Sequence, residues 1–266
     1  MLHYQTHLLR ENAAWVVFIH GAGGSLYSWK YQIEAFKPYF NLLLLDLRDH
    51  GQSQDIEPAF DQYNFDIVTD DILLVIDHLE ITKAHFLSVS LGSVILQKIE
   101  EKRTTLIDKM IMSGGVFRAT FRIKFFVHSA KILSYFLPYR VMYDLFSLIV
   151  LPKKNHQKAR RIFRLQSQKI TPEAYMKWVG LYKDFFRLLR SFFKRELQSM
   201  SLVVMGEEDH VFVKAAEKFA RTHHRAQLVI FEKCGHICNI EQYERFNQIV
   251  LAFLKEDGGY KGGLKM

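Results

Sequence analysis

Short, unbroken apolar runs recur along this chain and set the strongest limit on its fold. Trp15-Val16-Val17-Phe18-Ile19, Asn41-Leu42-Leu43-Leu44-Leu45-Asp46 and Ala84 to Val89 are of this kind, as are Met110-Ile111-Met112, Leu202 to Met205 and Leu228 to Phe231. Runs without polar alternation suit strands covered on both faces, as in a parallel sheet. Helical periods fall between them. Val68, Ile72, Val75, Ile76 and Leu79 lie on one helix face, and Phe246, Ile249, Val250 and Phe253 mark a C-terminal helix. Strands alternating with helices predict an α/β fold: a wound, mostly parallel sheet with helices on both faces and right-handed crossovers. Thr6 to Leu8 and their neighbours are expected to add an edge strand.

The pattern breaks once. Residues 1–115 and 201–256 carry the strand and helix alternation, residues 116–200 read as a helical insert, and 257–266 as a flexible tail. A chain of 266 residues has room for one such core with an insertion. The insert is chemically distinct. It holds 18 Lys or Arg against 4 Asp or Glu, a net of +14, in a chain whose total is +8, so the rest is net negative. It also holds 17 of the 37 aromatic residues. Near its end Lys183, Arg187, Arg190 and Lys194 share a helix face, beside an apolar face of Tyr182, Phe185, Phe186, Leu189 and Phe193. Aromatics at helical spacing fit a packed core better than a base-stacking platform, so no nucleic-acid partner is expected. An insert leaving the carboxyl side of a sheet covers the ligand crevice there.

The polar start Met1-Leu2-His3-Tyr4-Gln5 does not read as a signal peptide, and the apolar stretch Val141 to Leu151 is too short to span a bilayer. Cys234 and Cys238 give no disulfide framework, and the expectation is reduced thiols in a cytoplasmic protein.

Chemistry concentrates where the apolar runs end. Phe86-Leu87-Ser88-Val89-Ser90-Leu91-Gly92 breaks from strand into helix at a small-x-Ser-x-Gly turn. Such a turn holds the Ser90 hydroxyl clear of the backbone, within reach of a carbonyl carbon; alone, it also fits a capping serine. A nucleophilic serine needs a base, and the base an orienting acid. Gly206-Glu207-Glu208-Asp209-His210 follows one later run, and Glu232-Lys233-Cys234-Gly235-His236 follows another. Asp209 and His236 are the candidates, with Glu207 and Glu208 as alternative acids and His210 as the alternative base. The loop His20-Gly21-Ala22-Gly23-Gly24-Ser25 is small enough for backbone N–H groups to approach an oxyanion, and those of Ala22 and Leu91 form the expected pair. It also suits a phosphate cradle, but no GKS or GKT follows. Cys234-Gly235-His236-Ile237-Cys238 lacks a fourth ligand and has poor zinc spacing, so no metal is expected.

Together these motifs resemble the α/β-hydrolase family, in its capped branch. His20 to Ser25 resembles the oxyanion loop, and Asp46-Leu47-Arg48-Asp49-His50-Gly51-Gln52-Ser53 the D-x-R-G-H-G-x-S segment. Ser88 to Gly92 resembles the nucleophile elbow, Gly206 to Asp209 the acid loop and Gly235-His236 the histidine loop, in the family's order of Ser, Asp, His. Ser88 and Asp49 stand where glycine is usual, and the change at Asp49 is expected to alter its loop. A serine nucleophile differs from the aspartate of haloalkane dehalogenases and epoxide hydrolases.

The resemblance implies a cap inserted after the sixth strand and a hydrolase needing no cofactor. Ester cleavage through Ser90, His236 and Asp209 is the expectation. A triad-dependent C–C hydrolase or menaquinone-pathway-type lyase is the alternative, with Arg118 or Arg122 clamping a carboxylate; a non-catalytic receptor on the same fold is another. The aromatic insert suggests an apolar or aromatic small-molecule ester. Its positive field favours an anionic substrate or weak contact with an anionic membrane.

Overall fold

The computed structural model describes residues 1–256, apart from the side chains of Arg122, Phe126 and Lys183. The expected tail at 257–266 lies outside the described residues. The chain runs β1 (Tyr4–His7), β2 (Trp15–Ile19), α1 (Lys30–Phe36), β3 (Asn41–Leu45), α2 (Phe65–His78), β4 (Ala84–Val89), α3 (Gly92–Lys102) and β5 (Ile107–Ser113). Five helices follow without a strand: α4 (Phe121–Leu133), α5 (Tyr139–Val150), α6 (Gln157–Ser167), α7 (Pro172–Gly180) and α8 (Tyr182–Phe192). The fold closes with β6 (Met200–Gly206), α9 (Val213–Thr222), β7 (Ala226–Phe231), α10 (Cys238–Glu241) and α11 (Tyr243–Lys255).

The seven strands form one sheet in the order β1-β3-β2-β4-β5-β6-β7. All neighbours pair in parallel except β1, which lies antiparallel against β3 from Tyr4 opposite Leu45 to His7 opposite Leu42. The edge strand therefore stops before Leu8, which is exposed. The insert leaves the sheet after its fifth strand, not its sixth. A single strand, β1, precedes β2 among the described residues, so the family's count runs one ahead of this chain's.

Adjacent residues along a strand face opposite sides, and in the inner strands β2, β3, β4 and β6 nearly every residue on both sides is buried, which explains the unbroken apolar runs. Val16, Phe18, Leu42, Leu44, Val204 and Phe231 pack beneath α1 and α11, against Trp29, Phe36, Phe246 and Phe253. Val17, Ile19, Leu43, Phe86, Val203 and Met205 pack on the other face with residues of α2 and α3. In α2 the Asn64 side chain accepts the Ile67 N–H at 2.8 Å, satisfying one first-turn donor, and Val68, Ile72, Val75 and Ile76 are buried. Leu151, Trp178, Leu189 and Phe192 of the helical segment join this second core, and Met142, Tyr143, Ile170 and Tyr175 form a smaller cluster of its own. On α8 Arg187 and Arg190 face solvent while Leu189 is buried, the two-faced pattern its sequence predicts. Among the described residues no helix is long and apolar enough to cross a membrane.

Candidate active site

β4 ends at Val89 and α3 begins at Gly92, so two residues make the turn. Ser90 takes φ +53°, a left-handed conformation that costs a side-chain-bearing residue about 1 kcal/mol or more. The surroundings hold it there. Its N–H donates to Ser113 O at 2.9 Å, and its carbonyl accepts from the Ser93 N–H at 2.9 Å and the Ser93 hydroxyl at 2.7 Å. A Cβ on Gly92 would stand 2.7 Å from Ile19 O and 2.9 Å from His20 O, so glycine lets the end of β2 press against the turn. Ser88 fits in place of the usual glycine because its buried hydroxyl donates to Ile111 O at 3.0 Å.

Three neighbouring strand ends bring the remaining groups to this hydroxyl. After β6, Asp209 is fully buried, and its Oδ2 lies 2.7 Å from His236 Nδ1 in the loop after β7. A carboxylate only accepts, so Nδ1 carries the proton, and Nε2 accepts from the Ser90 hydroxyl at 2.8 Å. The His236 ring is backed by Phe212, with centroids 5.1 Å apart. Gly114, at φ +54°, fits beneath it: a Cβ there would fall 2.4 Å from His236 O. Glu207 and His210 are exposed and stand outside this chain of bonds. The buried free thiols Cys234 and Cys238 flank the His236 loop.

Two buried histidines shape the loop after β2. The His20 Nδ1–H donates to Gly21 O at 2.8 Å, while Nε2 accepts the Leu47 N–H at 3.0 Å. The His50 Nδ1–H donates to Arg48 O at 2.9 Å, and its Nε2 accepts the Gly23 N–H at 3.1 Å. Both rings must stay neutral to make these bonds. Burial lowers the His20 pKa to about 4 and the His50 pKa to about 3. His50 thus ties the loop after β2 to the loop after β3. Asp49 adopts φ +58°, a region aspartate tolerates, and accepts from the Tyr63 hydroxyl, so the loop keeps a glycine-like turn without glycine. Neither the Ala22 nor the Leu91 N–H has a partner among the described residues, and both residues line the cavity at Ser90.

A second buried cluster was not legible in the sequence. Glu208 turns away from His236. It accepts from Lys153 Nζ at 2.6 Å, from Asn155 Nδ2 at 2.9 Å and lies 2.7 Å from His156 Nε2. Bonds from Asn155 and Lys153 hold its pKa down to about 2. Glu241 lies 3.6 Å from His156 Nε2 and accepts the N–H groups of Gly235 and Ile237 at 3.0 and 3.1 Å, on either side of His236. Burial pushes the Glu241 carboxyl up. Fully buried His156 therefore ties the helical segment to both the acid and the histidine loops. Only its contacts across 52 residues of sequence reveal this. His156→Ala is expected to lower kcat roughly tenfold to a hundredfold with little change in KM, by loosening these loops. Steady-state kinetics against His156→Gln, which keeps a donor there, would check it.

Two apolar cavities meet at the site. One of about 200 Å³ contains Ser90, Leu91, Val127, Leu181 and Phe185 in its walls. The other, about 450 Å³, lies between α4, α5 and α7, and both share Ala22, Leu91, Phe146 and Trp178. Among the described residues Lys131 is the one charged residue lining either. Arg118 instead lines a separate cavity of about 190 Å³ with Lys124, Arg190 and Lys194, and its guanidinium lies over the Phe193 ring at 5.2 Å. It is not placed to clamp a carboxylate beside Ser90, and the Arg122 side chain lies outside the described residues.

A family model described as the alpha/beta hydrolase fold matches residues 14–243. A putative esterase/lipase of Haemophilus influenzae is 30% identical over 114 residues, which make up 42% of this chain and 38% of that protein. A 3-oxoadipate enol-lactonase of Acinetobacter baylyi is 25% identical, covering 92% of this chain and 90% of its own length. The crystal structure of an enol-lactonase from Burkholderia xenovorans superposes with a TM-score of 0.80 at 22% identity, covering 96% of each chain, which shows a shared fold.

Proposed function

Because this chain belongs to the α/β-hydrolase family, we propose that it is a serine hydrolase of carboxylic esters, working through Ser90, His236 and Asp209. The observation that carries this reading is the unbroken chain of bonds from buried Asp209 through His236 to the Ser90 hydroxyl, beneath an apolar cavity. His236 Nε2 takes the serine proton as Oγ attacks the ester carbonyl carbon. Asp209 stabilises the imidazolium. The carbonyl oxygen, now an oxyanion, meets the free N–H groups of Ala22 and Leu91, and losing one such donor costs roughly 3 kcal/mol. Collapse of the intermediate passes the proton from His236 to the leaving alcohol, and water then releases the acid from Ser90 by the same route.

The apolar walls favour an acyl or aromatic group over a charged one. The enol-lactonase and esterase relatives add support. The unpaired buried cysteines fit a cytoplasmic setting. A fluorophosphonate probe is expected to label the wild type and not Ser90→Ala. Equal labelling of both, or none of either, would overturn the assignment, and the second result with ligand binding intact would favour a receptor.

A further inference from the structure

We propose that the outer face of α4 and α5 docks on an anionic phospholipid bilayer, and that the acyl part of the substrate passes from the bilayer into the cavity at Ser90. The proposal rests on the ester-hydrolase reading for its second half only.

The first observation is an apolar surface facing outward. On α4, Phe121, Phe125 and Ile132 recur at helical spacing on the exposed side, with Phe136 just beyond; Phe121 is 83% and Phe136 78% exposed. On α5, Val141, Leu145, Leu148 and Ile149 do the same. The inner side of α4 is apolar too, since Ile123, Val127 and Ala130 line the cavity at Ser90. A helix apolar on both faces has one face more than its own core can cover.

The second observation is continuity. Leu133, Leu145 and Ile149 line the 450 Å³ cavity and are each at least 40% exposed. The cavity therefore opens onto this surface, and it shares Ala22, Leu91 and Phe146 with the cavity containing Ser90. An acyl chain moving from surface to serine would meet apolar side chains throughout.

The third observation is charge, and it selects the occupant. Residues 116–172 contain one carboxylate, Asp144, which Arg164 occupies at 2.7 Å. Arg118, Lys124, Arg190 and Lys194 gather beside the N-terminal half of α4, and among the described residues none of the four is in an ion pair. Exposed apolar side chains next to unpaired cations match the acyl boundary and headgroups of an anionic membrane.

Sedimentation with vesicles tests this, using Ser90→Ala protein so that lipid is not consumed. Binding to vesicles of phosphatidylcholine with phosphatidylglycerol is expected, with little to phosphatidylcholine alone. Arg190→Gln with Lys194→Gln should weaken it about thirtyfold, at ~1 kcal/mol per charge. Phe121→Ser with Phe136→Ser should weaken it by a similar factor. Placed in the Ser90 enzyme, the same changes should leave hydrolysis of soluble p-nitrophenyl acetate unaltered and slow that of a long-chain ester held in vesicles. The docking proposal is overturned if Ser90→Ala protein ignores anionic vesicles, if neutral vesicles bind as well, or if light scattering shows a dimer that Phe136→Ser dissociates. Vesicle binding without any ester hydrolysis by the Ser90 enzyme would leave docking standing and remove the hydrolase reading instead.

Discussion

Alanine at Ser90 is expected to lower kcat on a short p-nitrophenyl ester by on the order of 10⁵-fold, and adding His236→Ala to that variant should cost almost nothing more. The hydroxyl and the imidazole are one unit, joined at 2.8 Å, so removing either leaves the other without a task. Each single variant should lose nearly as much as the pair. Residual turnover should persist above the uncatalysed rate, because Ala22 and Leu91 still present their N–H groups. Independent, multiplying losses would mean that Ser90 and His236 do not act on one proton. Asp209→Asn should fall in the same direction by about 10⁴-fold, since an amide can hold the wrong tautomer of His236.

Stability should drop by several kcal/mol as pH falls from 6.5 toward 4. His20 and His50 are held neutral, with pKa values lowered to about 4 and about 3 by burial. Both folded values lie below the unfolded value of 6.5, so the unfolded chain takes up protons first. Their contribution is complete above pH 6.5 and is lost on acidification through that window. His85, lowered to about 4 by burial, adds to the same slope. Glu208 acts lower down: its folded pKa of about 2 lies below 4.5, so its share is lost only below that. Urea midpoints measured across the range would show the loss. His50→Gln keeps an acceptor for the Gly23 N–H and cannot titrate, so it should flatten the slope. An unchanged slope would show that His50 is protonated alike in both states.

The sheet was legible because its strands are buried on both faces, and burial writes itself into sequence as runs such as Leu42 to Leu45. The groups around Ser90 were legible because each follows such a run on the same edge. What the sequence hid are bonds between distant segments. Glu208 read as a rival to Asp209, and only the fold shows it turned to His156, 52 residues away. Nothing near His50 in the sequence shows that its second ring nitrogen serves Gly23, 27 residues earlier. Counting strands from the resemblance misplaced the insert by one, since the count depends on an edge where pairing is short. The outward apolar face of α4 was hidden for another reason. Both its faces are apolar, so no periodicity separates inside from outside.

The His156 contacts with Glu208 and Glu241 bear on how such a protein can be re-engineered. Its helical segment is not an interchangeable module. Gln166 meets Ser25, and Trp178 donates to Arg48 O at 3.2 Å, so each loop that builds the site takes part of its shape from the segment above it. Transplanting residues 116–200 onto a related sheet would carry Lys153, Asn155 and His156 along but leave them without the Glu208 and Glu241 they hold here. A chimera would need the Glu208 and Glu241 positions moved with the graft, or it would exchange specificity for rate.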